Sequence, residues 1–135
     1  MGYSVYLAAR YSRNAEMRAI RDRIKVTSRW IDCHGENLLT SVSFTPGQLN
    51  GDTSRCGRIG TDDLLDIISA DVVVSFTEPN NGGKGGRHVE FGLGLALPGK
   101  RSIIVGRENV FHCLPQVDVV ADVDELLSLL LIGRV

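Results

Sequence analysis

Two acidic residues stand where they could form a catalytic pair. The first, Glu90, follows a glycine-rich stretch (residues 80–86) that separates an apolar run from a helical pattern. This position predicts that Glu90 lies in the first turn of the helix, where the helix dipole favours an ionised carboxylate. Nucleophilic catalysis by a carboxylate requires that ionised form. A Glu that only complements the dipole remains the alternative.

The second acidic residue is Asp63. It precedes Ile67 by four residues, and the spacing of Leu64, Ile67 and Ile68 predicts an inward helix face. A carboxylate on or beside that face is expected to be partly buried and to need a partner. Asp62 is open to the same interpretation, and either acid could be a simple charge near a helix N-terminus.

Two parts of the chain could bind an anion such as a phosphate. Arg10, Ser12 and Arg13 follow the first apolar run, and two guanidiniums with a hydroxyl at a strand–helix junction could hold a phosphate. The alternative is a solvated loop with Ser12 as a helix cap. The glycine-rich stretch around Lys84 is not a Walker A loop, because Ser or Thr does not follow its Gly-Lys pair.

The chemistry that fits these parts is cleavage of a glycosidic bond. One carboxylate attacks the anomeric carbon while the base departs, and water or a second base resolves the glycosyl–enzyme intermediate. No cofactor or metal is expected. The glycine pattern of a dinucleotide site is missing after the first strand, which disfavours an oxidoreductase, and the three His residues are scattered along the chain.

Alternating apolar runs and helical periods predict βαβ units with a parallel sheet. The expected strands are residues 4–9, 26–31, 71–76, 101–106 and 117–121, and the expected helices are residues 14–25, 61–70, 87–97 and 122–131. Thr61 or Asp62 is expected near an N-cap, and Asp122 is expected to cap the last helix. Residues 32–60 give no clear pattern. The chain is therefore predicted to be one α/β domain over residues 1–135, doubly wound and flavodoxin- or Rossmann-like, with its ligand site beyond the carboxyl ends of the strands.

Side-chain patterns add two finer expectations. Val89, Leu93 and Leu97 are predicted to form the core stripe of the helix that carries Glu90. Trp30 and Phe44 are candidates for stacking on a base, although plain packing is the simpler interpretation.

Composition narrows the class of protein. The chain has 135 residues, a formal net charge of −1 and no large block of one sign, which argues against binding of a nucleic-acid polymer. Its longest apolar run is too short for a membrane span. Three widely spaced cysteines and an N-terminus without a secretory pattern predict reduced thiols and a cytoplasmic location.

Four segments carry a resemblance to a known family. They are residues 5–9 (VYLAA), 63–74 (DLLDIISADVVV), 85–92 (GGRHVEFG) and 99–106 (GKRSIIVG). In this order and spacing the chain resembles the nucleoside 2-deoxyribosyltransferase-like enzymes, which include deoxyribonucleoside 5′-monophosphate N-glycosidases and CMP N-glycosidases. The resemblance spans most of residues 4–112. Its most specific parts are the Asp-to-Ala-Asp spacing and the Glu-x-Gly of the later helix.

The resemblance implies roles for individual residues. Glu90 corresponds to the nucleophile, Asp63 to the acid that contacts the sugar and orients the nucleophile, and Tyr6 to a first-strand tyrosine beside them. Gly86 and Arg87 correspond to the loop over the sugar or its 5′ substituent.

The resemblance also implies partners. Asn109 lies in a segment that in this family can reach a neighbouring subunit's site, so a homodimer or larger homo-oligomer is expected. Lys84 stands where the transferases commonly carry an acid that meets the 5′-hydroxyl. Together with Arg10, Ser12 and Arg13, this cation favours a 2′-deoxyribonucleoside 5′-monophosphate and hydrolysis over base exchange. A nucleotide-binding or sensing module without chemistry is the alternative on the same fold.

Overall fold

The computed structural model describes residues 3–32, 47–49, 51, 53–79 and 85–132. The described residues form five strands: β1 (Ser4–Ala8), β2 (Lys25–Val26), β3 (Val72–Phe76), β4 (Arg101–Val105) and β5 (Val117–Val120). They also form four α-helices: α1 (Asn14–Arg21), α2 (Thr53–Ser69), α3 (Gly86–Ala96) and α4 (Val123–Ile132). Short 3₁₀ helices cover Tyr11–Arg13, Arg29–Asp32 and Val110–Cys113.

The sheet is parallel throughout, with strand order β2-β1-β3-β4-β5. The predicted doubly wound α/β fold is therefore confirmed. Every residue of β1 and β3 is buried, as expected for central parallel strands that are covered on both faces. Burying a core side chain such as Leu7 or Ile103 contributes roughly 1.5–3 kcal/mol.

The second strand is much shorter than predicted. Pairing with β1 stops at Val26, and side chains then satisfy the backbone of β1 in place of a strand. The Leu7 N–H donates to Ser28 Oγ at 2.8 Å, and Trp30 Nε1 donates to the Leu7 carbonyl at 2.8 Å. Trp30 is thus a buried packing residue, and Phe44 lies outside the described residues.

Helix α2 begins at Thr53, eight residues before the predicted start. Glycines and small polar residues in 53–60 conceal the helical pattern, because they have low helix propensity. Thr61 is consequently not a cap: its hydroxyl donates to the Gly57 carbonyl one turn earlier, at 2.7 Å. The predicted inward face is also wrong in part, since Leu64 and Ile68 are exposed while Ile67 is buried.

Helix α3 lies unusually close to the sheet. A Cβ placed on Gly94 would stand 2.8 Å from Val73 Cβ, a separation that real side chains do not reach. The buried face of α3 runs through Arg87, Phe91 and Gly94. The predicted stripe therefore fails at Val89, which is 65% exposed.

Helix α4 begins as predicted. Asp122 Oδ1 accepts a hydrogen bond from the Glu125 N–H at 2.9 Å, so Asp122 caps the helix. Across the described ranges, none of the helices combines the length and apolar character needed to cross a membrane.

Candidate active site

Three side chains from three elements converge on one face of the sheet. Tyr6 is in β1, Asp63 is in α2 and Glu90 is in α3. The Tyr6 hydroxyl donates a hydrogen bond to Glu90 Oε2. The charge of Asp63 raises the pKa of both Tyr6 and Glu90, so Asp63 lies near this hydrogen bond.

The close approach of α3 explains how Glu90 meets Tyr6. Tyr6 is paired in register with Val73, so both side chains point to the same face of the sheet. Gly94 holds α3 against Val73. Glu90 precedes Gly94 by one helical turn and lies on the same side of the helix. The carboxylate is therefore directed toward the centre of β1.

Burial controls the protonation of Glu90. It raises the pKa of Glu90 to about 8, while the Tyr6 hydrogen bond opposes this shift and the charge of Asp63 adds to it. The expectation of a carboxylate kept ionised by the helix dipole is wrong. The helix begins at Gly86, so Glu90 lies beyond its first turn, where the dipole effect has faded.

Asp63 is half-buried, as predicted. Burial first, and then the charges of Asp66 and Asp62, raise the pKa of Asp63 to about 7, while Arg29 opposes the shift. Among the described residues, its buried Oδ1 has no hydrogen-bond partner. This acid therefore has acceptor capacity that a ligand could use.

A negative charge on Asp63 disfavours a second negative charge on Glu90. Burial, more than the nearby Glu90 charge, raises the pKa of Tyr6 above its ordinary value, so its hydroxyl stays a donor. In the tautomer with the proton on Asp63, Glu90 is an ionised carboxylate held by Tyr6. That tautomer combines a nucleophile with a neighbouring acid.

The cations after β1 are already engaged. Arg13 binds Glu78 and Glu16, each at 2.9 Å, and Arg10 lies 3.7 Å from Glu78. Ser12 is exposed and does not cap α1, whose N-cap is Arg13 without a side-chain bond. These contacts balance much of the positive charge that was expected to meet a phosphate.

The glycine-rich loop is only partly described. Lys84 lies outside the described residues. Gly85 has a φ of 87° at the N-cap of α3, a conformation that favours glycine, and Gly86 is exposed at the start of the helix. Arg87 turns inward: its side chain is 4% exposed and binds both oxygens of Glu108, at 2.8 and 2.9 Å. It links α3 to the segment after β4.

Asn109 has a local structural role. Its Oδ1 accepts from the Phe111 N–H at 2.9 Å and caps the 3₁₀ helix after β4. This turn presents Val110 and Phe111 to the surface.

Several polar residues near the site were missed by the sequence interpretation. Glu108 holds Arg87, and His112 Nδ1 accepts the backbone N–H of Glu108 at 2.9 Å. The fold brings the His88 and His112 rings to 6.0 Å. Within the described part of the chain, however, no three His, Cys, Asp or Glu side chains are grouped to hold a metal ion. The position of Glu108 just after a buried strand was the signal that could have found it.

A second missed group flanks Asp63. Arg29 Nε lies 2.9 Å from Asp66 Oδ1, and the Arg29 backbone N–H donates to Asp66 Oδ2 at 2.9 Å. The same guanidinium lies 3.3 Å from Asp62 Oδ1. Because Arg29 and Asp66 are 37 residues apart, the pair is invisible in the local pattern.

Comparison with known proteins adds no relative. No protein-family model matches this chain, and neither a curated protein nor a solved structure matches it.

Proposed function

We propose that the protein cleaves or exchanges the N-glycosidic bond of a 2′-deoxyribonucleoside or its 5′-monophosphate, with Glu90 as nucleophile. The observation that carries the proposal is the partly buried hydrogen bond from Tyr6 to Glu90, with Asp63 near it. The sugar and the base come from the resemblance of the four sequence segments. The geometry contributes a carboxylate that is oriented, shielded from water and paired with a second acid.

The proposed reaction has two steps. A Glu90 oxygen attacks the anomeric carbon, the bond to the base nitrogen breaks, and the departing base keeps the electron pair and gains a proton. Water or a second base then displaces Glu90 from the glycosyl ester. Tyr6 orients the carboxylate during attack, and Asp63 contacts the sugar and exchanges a proton with the reacting groups.

The proposal favours a 5′-monophosphate and hydrolysis. This preference rests on Lys84, in place of an acid, and on Arg10, whose side chain is 44% exposed. Arg13 contributes less than the sequence suggested, because Glu16 and Glu78 already bind it. A cytoplasmic location, with reduced thiols, belongs to the same proposal.

A homodimer or larger assembly completes the proposal. Leu64, Leu65 and Ile68 on α2 and Val89 on α3 are exposed apolar side chains on neighbouring helices. Contact with a second subunit would remove these apolar side chains from water, which favours assembly.

Chromatography of released base tests the function. The protein is incubated with each 2′-deoxynucleoside and each 5′-monophosphate, with and without an acceptor base, beside Glu90→Gln. Base released from a monophosphate without acceptor establishes hydrolysis, and product formed only with acceptor establishes transfer. If no substrate releases base while nucleotides still raise the melting temperature, the protein is a binding module.

A further inference from the structure

Asp63 lies within one turn of α2 that carries three carboxylates. Asp62 precedes it directly and Asp66 follows three residues later. Arg29 is the cation that packs against this turn, and it contacts both flanking acids. Within the described part of the chain, Arg29 forms no ion pair with Asp63, although it contacts residues on either side of it.

Asp66 is built to hold Arg29. Its side chain is 9% exposed, and it accepts from the Arg29 backbone N–H and from Nε, each at 2.9 Å. The first contact fixes the position of the Arg29 backbone, and the second fixes the direction of its guanidinium. The contact from Nε is a charge-assisted hydrogen bond, which is stronger than a bond between neutral groups.

We propose that Asp66 holds Arg29, the guanidinium that contacts this turn of α2, away from an ion pair with Asp63 and so keeps Asp63 available as a proton donor. Asp66 acts twice in the same direction. It keeps the cation from a direct ion pair with Asp63, and it places a negative charge one turn away on the same helix face. Asp66 is thus a positioning residue that acts through Arg29 and Asp63.

The other charged groups around Asp63 fit this arrangement. Glu90 of α3 is a carboxyl group, and Tyr6 of β1 is a neutral donor bound to Glu90. Asp62 is a further negative charge and lies at the surface. Arg29 is therefore the one described cation that contacts this turn of α2, and two acids other than Asp63 engage it.

The arrangement matters for the reaction, and that significance rests on the proposed function. An ionised Asp63 disfavours charge on Glu90. When the single proton of the pair is on Asp63 in place of Glu90, this repulsion is absent and Glu90 carries the negative charge. The flanking ion pair thereby supports the reactive tautomer.

Carboxyl-carbon NMR titration of the substrate-free protein tests the proposal. The variant is Asp66→Asn, which keeps an oxygen that can accept from the Arg29 N–H but removes the charge. The control is Asp118→Asn, which removes a carboxylate from another Asp–Arg pair, formed by Arg101 and Asp118 at 2.7 Å. Both variants change net charge equally, so a general charge effect appears in both.

We expect the Asp63 signal of the wild type to titrate near pH 7. In Asp66→Asn the midpoint of Asp63 falls by about one pH unit. The variant releases the Arg29 cation and removes the negative charge of Asp66, and each change favours ionised Asp63 on that scale. Asp118→Asn leaves the midpoint unchanged. An Asp63 midpoint near 4 in the wild type, or one that Asp66→Asn does not move, overturns the proposal.

Two provisions keep the test decisive. If Asp66→Asn does not fold, Asp66→Ser supplies a smaller acceptor for the same N–H. The wild-type midpoint of Asp63 tests the proposal without any variant. The titration needs no substrate, so it is independent of base release. An inactive protein with the expected titration contradicts the proposed function alone, whereas an active protein without it contradicts the role of Asp66 alone.

Discussion

The Tyr6 hydroxyl donates a hydrogen bond to Glu90 across 84 residues of sequence. It connects the centre of the first strand to the helix that follows the third. Both groups are largely shielded from water, where a hydrogen bond to a charged acceptor is stronger than at the surface. The proposed activity depends on this contact.

Tyr6→Phe removes the donor without changing the ring. Because the hydrogen bond lowers the pKa of Glu90, its loss raises that pKa further and moves the acid limb of kcat/KM to higher pH. The rate at neutral pH should fall about 10- to 100-fold, the scale of one hydrogen bond to a charged group. A pH–rate profile measures both effects.

Tyr11→Phe is the matched control. Its buried hydroxyl has no hydrogen-bond partner among the described residues, so its removal relieves an unsatisfied group. Stability should rise by about 1 kcal/mol, with the acid limb unmoved. Equal profiles for the two variants would refute the role of Tyr6.

Glu90→Gln should stabilise the protein at alkaline pH. The pKa of Glu90 is raised from 4.5 to about 8 in the folded state, so folding binds a proton between these values. The contribution of the protonated Glu90 to the free energy of unfolding is therefore fully present below pH 4.5 and is lost as the pH rises through 8. We expect the variant and the wild type to match near pH 4.5.

At about pH 9 the variant should be more stable by about 4 to 5 kcal/mol, because each unit between the two pKa values is worth about 1.4 kcal/mol. Thermal unfolding at the two pH values measures the difference. An equal difference at both values would show that Glu90 does not carry the shift.

Gly94→Ala should weaken both stability and activity. The added Cβ would stand 2.8 Å from Val73 Cβ, so α3 must move away from the sheet and carry Glu90 away from Tyr6. Overpacking of this kind costs about 1–3 kcal/mol. Denaturant unfolding and base release measure the two losses.

Gly92→Ala is the control on the same helix. Its added Cβ meets nothing within 4 Å, so it should stabilise α3 by about 0.5–1 kcal/mol and keep activity. If the two variants changed stability and activity alike, close packing of α3 on the sheet would not be what positions Glu90.

Glu108→Gln should destabilise the protein strongly. It removes the charge from the carboxylate that binds the buried Arg87 guanidinium through both oxygens, and hydrogen bonds between charged groups are worth about 1.5–3 kcal/mol. Asp118→Asn breaks the more exposed pair with Arg101 and should cost less than about 1 kcal/mol. Urea unfolding of both variants checks the contrast, and an equal loss of stability in the two variants would contradict it.

Much of the fold could be predicted because its signals are local. The apolar runs of β1, β3 and β4 and the Asp122 cap each depend on a few adjacent residues. The failures arise where distant residues decide. Ser28 and Trp30 satisfy the backbone of β1 from outside the strand, so β-favouring residues after Val26 did not extend β2.

The same distinction holds at the candidate site. Glu90, Asp63 and Tyr6 were found from local spacing and from resemblance, and the structure brings them together. Their proton affinities could not be predicted, because burial by other elements sets them. The partners of Arg87 and Arg29 were equally hidden, since each lies at least 21 residues away along the chain.

Mass spectrometry of a trapped intermediate tests the central claim most directly. The protein is quenched in acid during turnover of a 2′-deoxynucleoside 5′-monophosphate whose base it releases, and the digested peptides are examined beside those of Glu90→Gln. The account predicts a sugar ester, one deoxyribosyl 5′-phosphate heavier, on the peptide that carries Glu90, and none in the variant. Base release at an undiminished rate by Glu90→Gln, or an ester on another carboxylate, would contradict it.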